Sequence, residues 1–237
     1  MDQIAWRIGN TDWDEVAGSL HKKGYALLPG FLSAEQCAGL IQLYDKPGAY
    51  RKTVIMERHR FGIGEYKYFN YPLPDEIQAI RTRLYPKLMP VANLWMKALN
   101  MNRSFPETHE ELLLQCRAYQ QSKPTPLILK YGRSGYNTLH QDLYGEVYFP
   151  LQTVLFLNEP DEDYTGGEFI LTEQIPRAQS KAIVLKPQKG DMLIFTTSFR
   201  PVSGKKGHYR VTMKHGVSEI HSGNRHTLGI IFHDAVS

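Results

Sequence analysis

The chain has 237 residues, 42% of them hydrophobic and 22% charged, a balance that fits a folded globular protein and excludes disordered or collagen-like classes. Its formal net charge of +4 is mildly basic, compatible with a polyanionic partner without demanding one. The two cysteines, Cys37 and Cys116, lie far apart, which argues against a disulfide framework or a cysteine-based zinc site. No apolar run has the length of a membrane span and Met1 to Trp6 lack a signal-peptide pattern, so a cytoplasmic protein with no membrane partner is expected.

A short helix is predicted from Thr11 or Asp12 up to a break at Gly24, followed by a buried strand over Tyr25–Leu28 that Pro29-Gly30 ends. Ser33 with Gln36 forms a capping box, behind which Cys37, Leu40, Ile41 and Tyr44 recur at helical spacing. Cys37 lies on that apolar stripe and reads as core packing. Residues 46–74 interleave Arg51, Lys52, Arg58, His59, Arg60 and Lys67 with aromatic residues that include Phe61, Tyr66 and Tyr68. Such a mixture suits either edge strands with solvated cations or part of a substrate channel that binds a backbone and stacks a ring. Gly62 and Gly64 mark a bulged or mobile stretch, as a substrate lid would need.

From Asp75, the residues Ile77, Ile80, Leu84, Leu88, Val91, Trp95 and Ala98 keep a helical period, while Pro86 and Pro90 predict two helices or one kinked helix. Pro106 opens a further helix over 106–116. Beyond Pro124 the texture changes to short apolar or alternating runs at 127–131, 139–143, 151–157, 167–171, 181–185, 191–196, 209–217 and 225–232, separated by turn signals. The pattern predicts a mainly β fold with supporting helices. A double-stranded β-helix (jelly-roll) core over 124–237 would pack against N-terminal helices and strands in 1–123, with 1–237 forming a single domain.

His140 and Asp142 stand two apart on one of these strands, so both side chains project toward the same side. With His215 they supply two imidazoles and one carboxylate, the facial set that holds non-haem Fe(II) and leaves positions open. A hydrogen-bonded core pair with a structural histidine is the alternative. A zinc hydrolase could use the same ligands but would leave Arg225 without a role. The His-x-His and downstream Glu of a cupin are not found. His226, beside Arg225, should point to the opposite face, and Asp191 should end a tight turn after Gly190.

Around these residues Tyr131 precedes His140 across a loop bounded by Gly132 and Gly135, Gly166-Gly167-Glu168-Phe169 lies between the histidines, and His215-Gly216-Val217 is followed by Arg225-His226-Thr227. In this order the chain resembles the 2-oxoglutarate/Fe(II)-dependent dioxygenase superfamily. The ending from Arg225 to Ala235 is similar to a bacterial oxygenase family described as acting on damaged DNA. The Tyr131-to-His140 spacing and the His140-Gln141-Asp142 triplet are similar to AlkB-type DNA dealkylases, and prolyl hydroxylases share much of the pattern.

The resemblance implies Fe(II) on His140, Asp142 and His215, with 2-oxoglutarate and O2 as cosubstrates and ascorbate as a stimulant. It implies Arg225 on the distal carboxylate of 2-oxoglutarate, with Thr227 and Tyr131 beside it, since a guanidinium fork matches a carboxylate. Oxidation of a C–H bond would accompany release of succinate and CO2, and an N-methyl group hydroxylated in this way loses formaldehyde. The substrate expected first is an alkylated base in single-stranded or damaged nucleic acid. Hydroxylation of a protein side chain or a small metabolite is the runner-up, and a non-catalytic jelly-roll binding module is the reading from another class. Two positions depart from the AlkB pattern: Leu129 stands where an Asn precedes the Tyr, and Ile231 where a further Arg would follow Arg225.

Overall fold

The computed structural model describes residues 3–237. Helices α1 (Gln3–Asn10) and α2 (Trp13–Lys23) lead into β1 (Tyr25–Leu28) and α3 (Ala34–Leu43). Strands β2 (Tyr50–Ile55), β3 (Gly62–Ile63) and β4 (Glu65–Phe69) follow, with a 3-10 turn at Met56–His59, and then helices α4 (Asp75–Ala98) and α5 (His109–Ala118). The second half is β5 (Leu127–Tyr131), β6 (Tyr136–His140), β7 (Leu151–Phe156), β8 (Tyr164–Gly166), β9 (Phe169–Gln174) and β10 (Lys181–Leu185). It closes with β11 (Met192–Thr196), β12 (Phe199–Gly204), β13 (Gly207–Val217), β14 (Ile220–Gly223) and β15 (Arg225–Ile231).

The strands form a seven-stranded sheet in the order β1-β11-β7-β15-β5-β4-β2 and a six-stranded sheet in the order β10-β9-β13-β6-β3. This is the double-stranded β-helix, mainly β with supporting helices, that the strand pattern indicates. Strand β7 is buried along its whole length because both faces of the large sheet are covered. Ile128, Leu155, Leu228 and Ile230 join the helices in one cluster, while Val154, Phe156, Leu193 and Phe195 pack toward the small sheet with Phe169 and Met213.

Antiparallel register lines up the residues that face the small sheet. Arg225 lies opposite Tyr131. Two residues along β15, Thr227 lies between Phe156 and Leu129, then Gly229 between Val154 and Leu127, and finally Ile231 opposite Gln152. Phe195 flanks Gln152 on its other side.

Local chemistry explains where the helices begin and end. Asp12 accepts from the N–H groups of Asp14 and Glu15 to start α2, and Gly24 takes φ 80° to stop it. Ser33 and Gln36 make the expected capping box on α3, with Cys37 buried behind it. Of the two alternatives for α4, the single helix is the one found: 24 residues pass through both prolines. Pro86 and Pro90 both lie on its exposed face, where water meets the carbonyls they leave unpaired, while Ile77, Ile80, Leu84, Leu88 and Trp95 hold the buried stripe. The helix expected from Pro106 instead starts at His109, because Thr108 and Glu111 form a capping box there. Helix α1 was not anticipated.

The chain's end is tied to α4 by Arg81. Its guanidinium pairs with Asp234 at 2.7 Å and donates to the carbonyls of Ile231 at 2.9 Å and Phe232 at 3.0 Å, all out of solvent. Breaking a buried pair strands the surviving charge. Arg81→Ala or Asp234→Ala should therefore lower unfolding free energy by about 3–5 kcal/mol in urea titrations.

Candidate active site

Strand β13 runs between β9 and β6, and its register sets His215 directly opposite His140. The two rings approach to 4.2 Å between centroids. Strand β6 ends at His140, so the strand expected over 139–143 is corrected to Tyr136–His140 and Asp142 lies just beyond it. Gln141 turns the chain there by donating its amide to the carbonyls of Ser198 and Met213, each at 2.8 Å. The Asp142 carboxylate is brought to 3.2 Å from His215 Nε2 and 3.6 Å from His140 Nε2. One donor atom from each residue falls within 4.8 Å of the others, a spacing that could hold one metal ion.

The surroundings suit these atoms to a metal ion. His140 Nδ1 donates to the Thr138 carbonyl at 2.8 Å, which leaves Nε2 as the lone-pair nitrogen facing the site. His215 is buried against Phe195 at 4.9 Å and Phe169 at 5.9 Å. Burial first, and then neighbouring His140, lower its pKa against the pull of Asp142, so the ring is held neutral. For Asp142, burial favours the protonated carboxyl, but both imidazoles and a hydrogen bond outweigh it and hold the group below the usual carboxylate range. That hydrogen bond comes from Tyr144, whose hydroxyl donates to Oδ1 at 2.7 Å and accepts from Tyr68 at 3.3 Å. Tyr144→Phe should weaken metal affinity about 10–100-fold, measured by competition with a chromophoric chelator, with the fold unchanged.

His140, Asp142, His215, Arg225, Thr227 and Tyr131 all line one cavity of about 230 Å³. Arg225 is 1% exposed, and its Nε and Nη1 have no hydrogen-bond partner. Among the described residues no carboxylate pairs with it. Three aromatic rings, of Phe156, Tyr131 and Tyr164, lie 5.4, 5.7 and 5.9 Å from its guanidinium carbon. Gly167, at φ 67°, makes room for it, since a Cβ there would come within 3.0 Å of the Arg225 side chain and 2.2 Å of Ile220. Tyr131 accepts from Asn137 at 3.2 Å, and burial pushes its pKa up to about 12, so its hydroxyl stays protonated. A buried cation held by ring contacts and a hydrogen bond to the Tyr164 hydroxyl, with Nε and Nη1 unpaired, is incompletely satisfied, and a carboxylate would complete it.

Residues 64–235 match the Oxygenase-NA family, described as an oxygenase catalysing oxidative methylation of damaged DNA. The chain belongs to the Oxygenase-NA family. Two uncharacterized proteins of Mycobacterium tuberculosis, from two strains, are each 46% identical to this Oxygenase-NA chain over 167 residues, 70% of the chain and 72% of theirs. Solved structures are similar in fold at much lower identity. A prolyl-4-hydroxylase of Pseudomonas putida is 13% identical with a TM-score of 0.55, covering 94% of this chain and 98% of its own. An oxidoreductase of the 2OG-Fe(II) oxygenase family from Burkholderia pseudomallei is 13% identical with a TM-score of 0.56, covering 96% and 95%. A Trichoplax adhaerens prolyl hydroxylase, solved with a hypoxia inducible factor peptide, is 15% identical with a TM-score of 0.55, covering 98% and 92%. This Oxygenase-NA protein thus has the fold of the 2-oxoglutarate/Fe(II) oxygenases, oxidoreductases that take Fe(II), 2-oxoglutarate and O2.

Other Oxygenase-NA residues sort by the faces they occupy. His226 points away from the cavity, held by Asn158 at 3.0 Å and packed on Tyr44. Asp191 accepts from the N–H groups of Gly30 and Gln188, each at 2.9 Å, and so serves a turn. Two cations of the expected substrate surface are structural: Arg51 donates to the Pro124 carbonyl and covers Tyr68, and Lys67 donates to the Tyr44 carbonyl. Lys52, Arg58 and Arg60 remain exposed. Tyr144 and Gln152 also line the cavity and were not anticipated. Their signals were a tyrosine two places after Asp142 and a lone amide inside the apolar run of β7. Among the described residues no helix is long and apolar enough to cross a membrane.

Proposed function

We propose that His140, Asp142 and His215 hold Fe(II), that Arg225 binds the distal carboxylate of 2-oxoglutarate, and that the site demethylates alkylated bases in single-stranded or damaged nucleic acid. Two imidazoles and one carboxylate suit Fe(II) and would occupy one side of it. The observation that carries the cosubstrate assignment is Arg225, a buried guanidinium with unpaired N–H groups lining the same cavity as the triad. A carboxylate completes its hydrogen bonds, Thr227 on the same strand face offers a hydroxyl, and the protonated Tyr131 offers a donor from the neighbouring strand. Bound Fe(II) with 2-oxoglutarate and O2 supplies the oxidant for hydroxylating a C–H bond, with succinate and CO2 released.

The substrate reading rests on the family description and on the cavity mouth. Phe61 and Leu143 line the cavity and are exposed, 45% and 49% respectively, so an apolar rim faces outward beside the triad. His59 stacks on Phe61 at 5.3 Å, and Arg58 and Arg60 flank them in solvent. Ring faces next to cations fit an unstacked base and its phosphates.

The test is succinate and formaldehyde release by the Fe(II) protein with N-methylated and unmethylated single-stranded oligonucleotides, and with peptide and metabolite pools. Methylated strands should stimulate both products in equal amounts, with binding that weakens as salt rises. Stimulation by peptides alone would move the substrate to protein side chains.

A further inference from the structure

The wall that the large sheet presents to the cavity is graded along β15. Arg225 stands at one end and Ile231 at the other, and successive inward-facing residues are about 6.6 Å apart along the strand. The triad lies toward the Ile231 end. Phe195, which packs on His215 at 4.9 Å, is the cross-strand neighbour of Gln152, and Gln152 in turn is the neighbour of Ile231. The Arg225 guanidinium lies 5.4 Å from the ring of Phe156, which is opposite Thr227, so a dicarboxylate held there and reaching for the triad points its second carboxylate toward this end of the wall.

Among the three described residues that form this end of the wall, one is polar. Phe195 and Ile231 are apolar, and Gln152 between them is 2% exposed, lines the cavity, and has an amide nitrogen without a hydrogen-bond partner. A polar side chain in that position is an oddity for folding, since β7 is otherwise well suited to apolar burial on this face at Val154 and Phe156. It is apt for a ligand, because an amide N–H donates to a carboxylate without adding a second buried cation to the one already at Arg225.

We propose that Gln152 is a cosubstrate-binding residue whose amide donates to the metal-proximal carboxylate of 2-oxoglutarate, the end remote from Arg225. The assignment rests on the reading of the triad and Arg225 given above. Arg225 and Gln152 then grip opposite ends of one molecule, the first by charge and the second by a neutral donor that selects for the 2-oxo acid end.

The experiment titrates 2-oxoglutarate, and separately pyruvate, anaerobically into the Fe(II)-loaded protein, following the visible absorption band of the complex, alongside affinity for Fe(II) alone. Pyruvate keeps the 2-oxo acid end and lacks the distal carboxylate. Gln152→Leu should raise the dissociation constants of both acids about 10–100-fold, the range of a hydrogen bond to a charged group, with Fe(II) affinity within about twofold of wild type. Gln152→Glu, nearly isosteric, should weaken both further, and Arg225→Met should weaken 2-oxoglutarate while sparing pyruvate. The proposal is overturned if both Gln152 variants bind pyruvate as wild type does, or if Fe(II) affinity falls in step with acid affinity. Absence of the band in the wild-type protein would instead overturn the reading of the triad and Arg225.

Discussion

Arg225→Met should raise the KM for 2-oxoglutarate at least about a hundredfold and yet make the cosubstrate-free protein harder to unfold. Both effects have one cause. The guanidinium is buried with unpaired Nε and Nη1, so a carboxylate gains two charge-assisted hydrogen bonds there, each worth roughly 1.5–3 kcal/mol. Until one arrives, the same group is a buried charge compensated by the rings of Tyr131, Phe156 and Tyr164 and by a hydrogen bond to the Tyr164 hydroxyl, with no carboxylate beside it among the described residues. Replacing such a charge with an apolar side chain of similar length should stabilise the empty fold by about 1–4 kcal/mol. Steady-state kinetics, urea unfolding and Fe(II) titration read the three quantities separately. A variant that is less stable and also loses Fe(II) would mark Arg225 as a structural cation.

His140→Ala and Asp142→Ala should each abolish 2-oxoglutarate turnover, by more than about a thousandfold, and weaken Fe(II) binding. The two should differ in what they leave behind. Asp142→Ala removes the acceptor of the Tyr144 hydroxyl and the carboxylate beside His215 Nε2, so the local hydrogen-bond chain from Tyr68 is cut as well. His140 has about a third of its side chain exposed, and its loss disturbs mainly the metal. Succinate release together with equilibrium metal binding checks both. Unchanged turnover in either variant rules out the triad.

Much of the fold was legible because its signals are local. Alternation and turn residues mark β5, β7, β10, β11 and β15 closely, and capping residues mark α3. Where two local signals competed, reading was poorer. Pro106 drew the start of α5 away from the capping box at Thr108, and Pro86 and Pro90 left one helix and two equally open over α4. Helix α1 has no acidic first turn and buries only Ile4 and Ile8, so little in its sequence announces it.

The site divides in the same way. His140 and Asp142 are neighbours in sequence and were read together, whereas their meeting with His215 depends on the β13–β6 register, for which the ordered resemblance stood in. Gln152 and Tyr144 acquire significance only from what lies across a strand or at the end of a hydrogen bond. An amide in a strand has no local mark that separates a ligand-binding role from a tolerated polar residue.

The grip of Arg81 on the chain's end has a bearing on how activity screens will be read. Arg81 holds the Ile231 and Phe232 carbonyls and Asp234, and Ile231 is the last residue of the strand that begins at Arg225. Loosening that grip lets the strand's end fray, and with it the alignment between Arg225 and the His140, Asp142 and His215 cluster. A library scored by turnover will therefore return Arg81 and Asp234 beside the cavity residues, although neither lines the cavity. Such hits would be anchors of the strand, recognisable because cooling or a stabilising second-site change restores them, as neither can for Arg225.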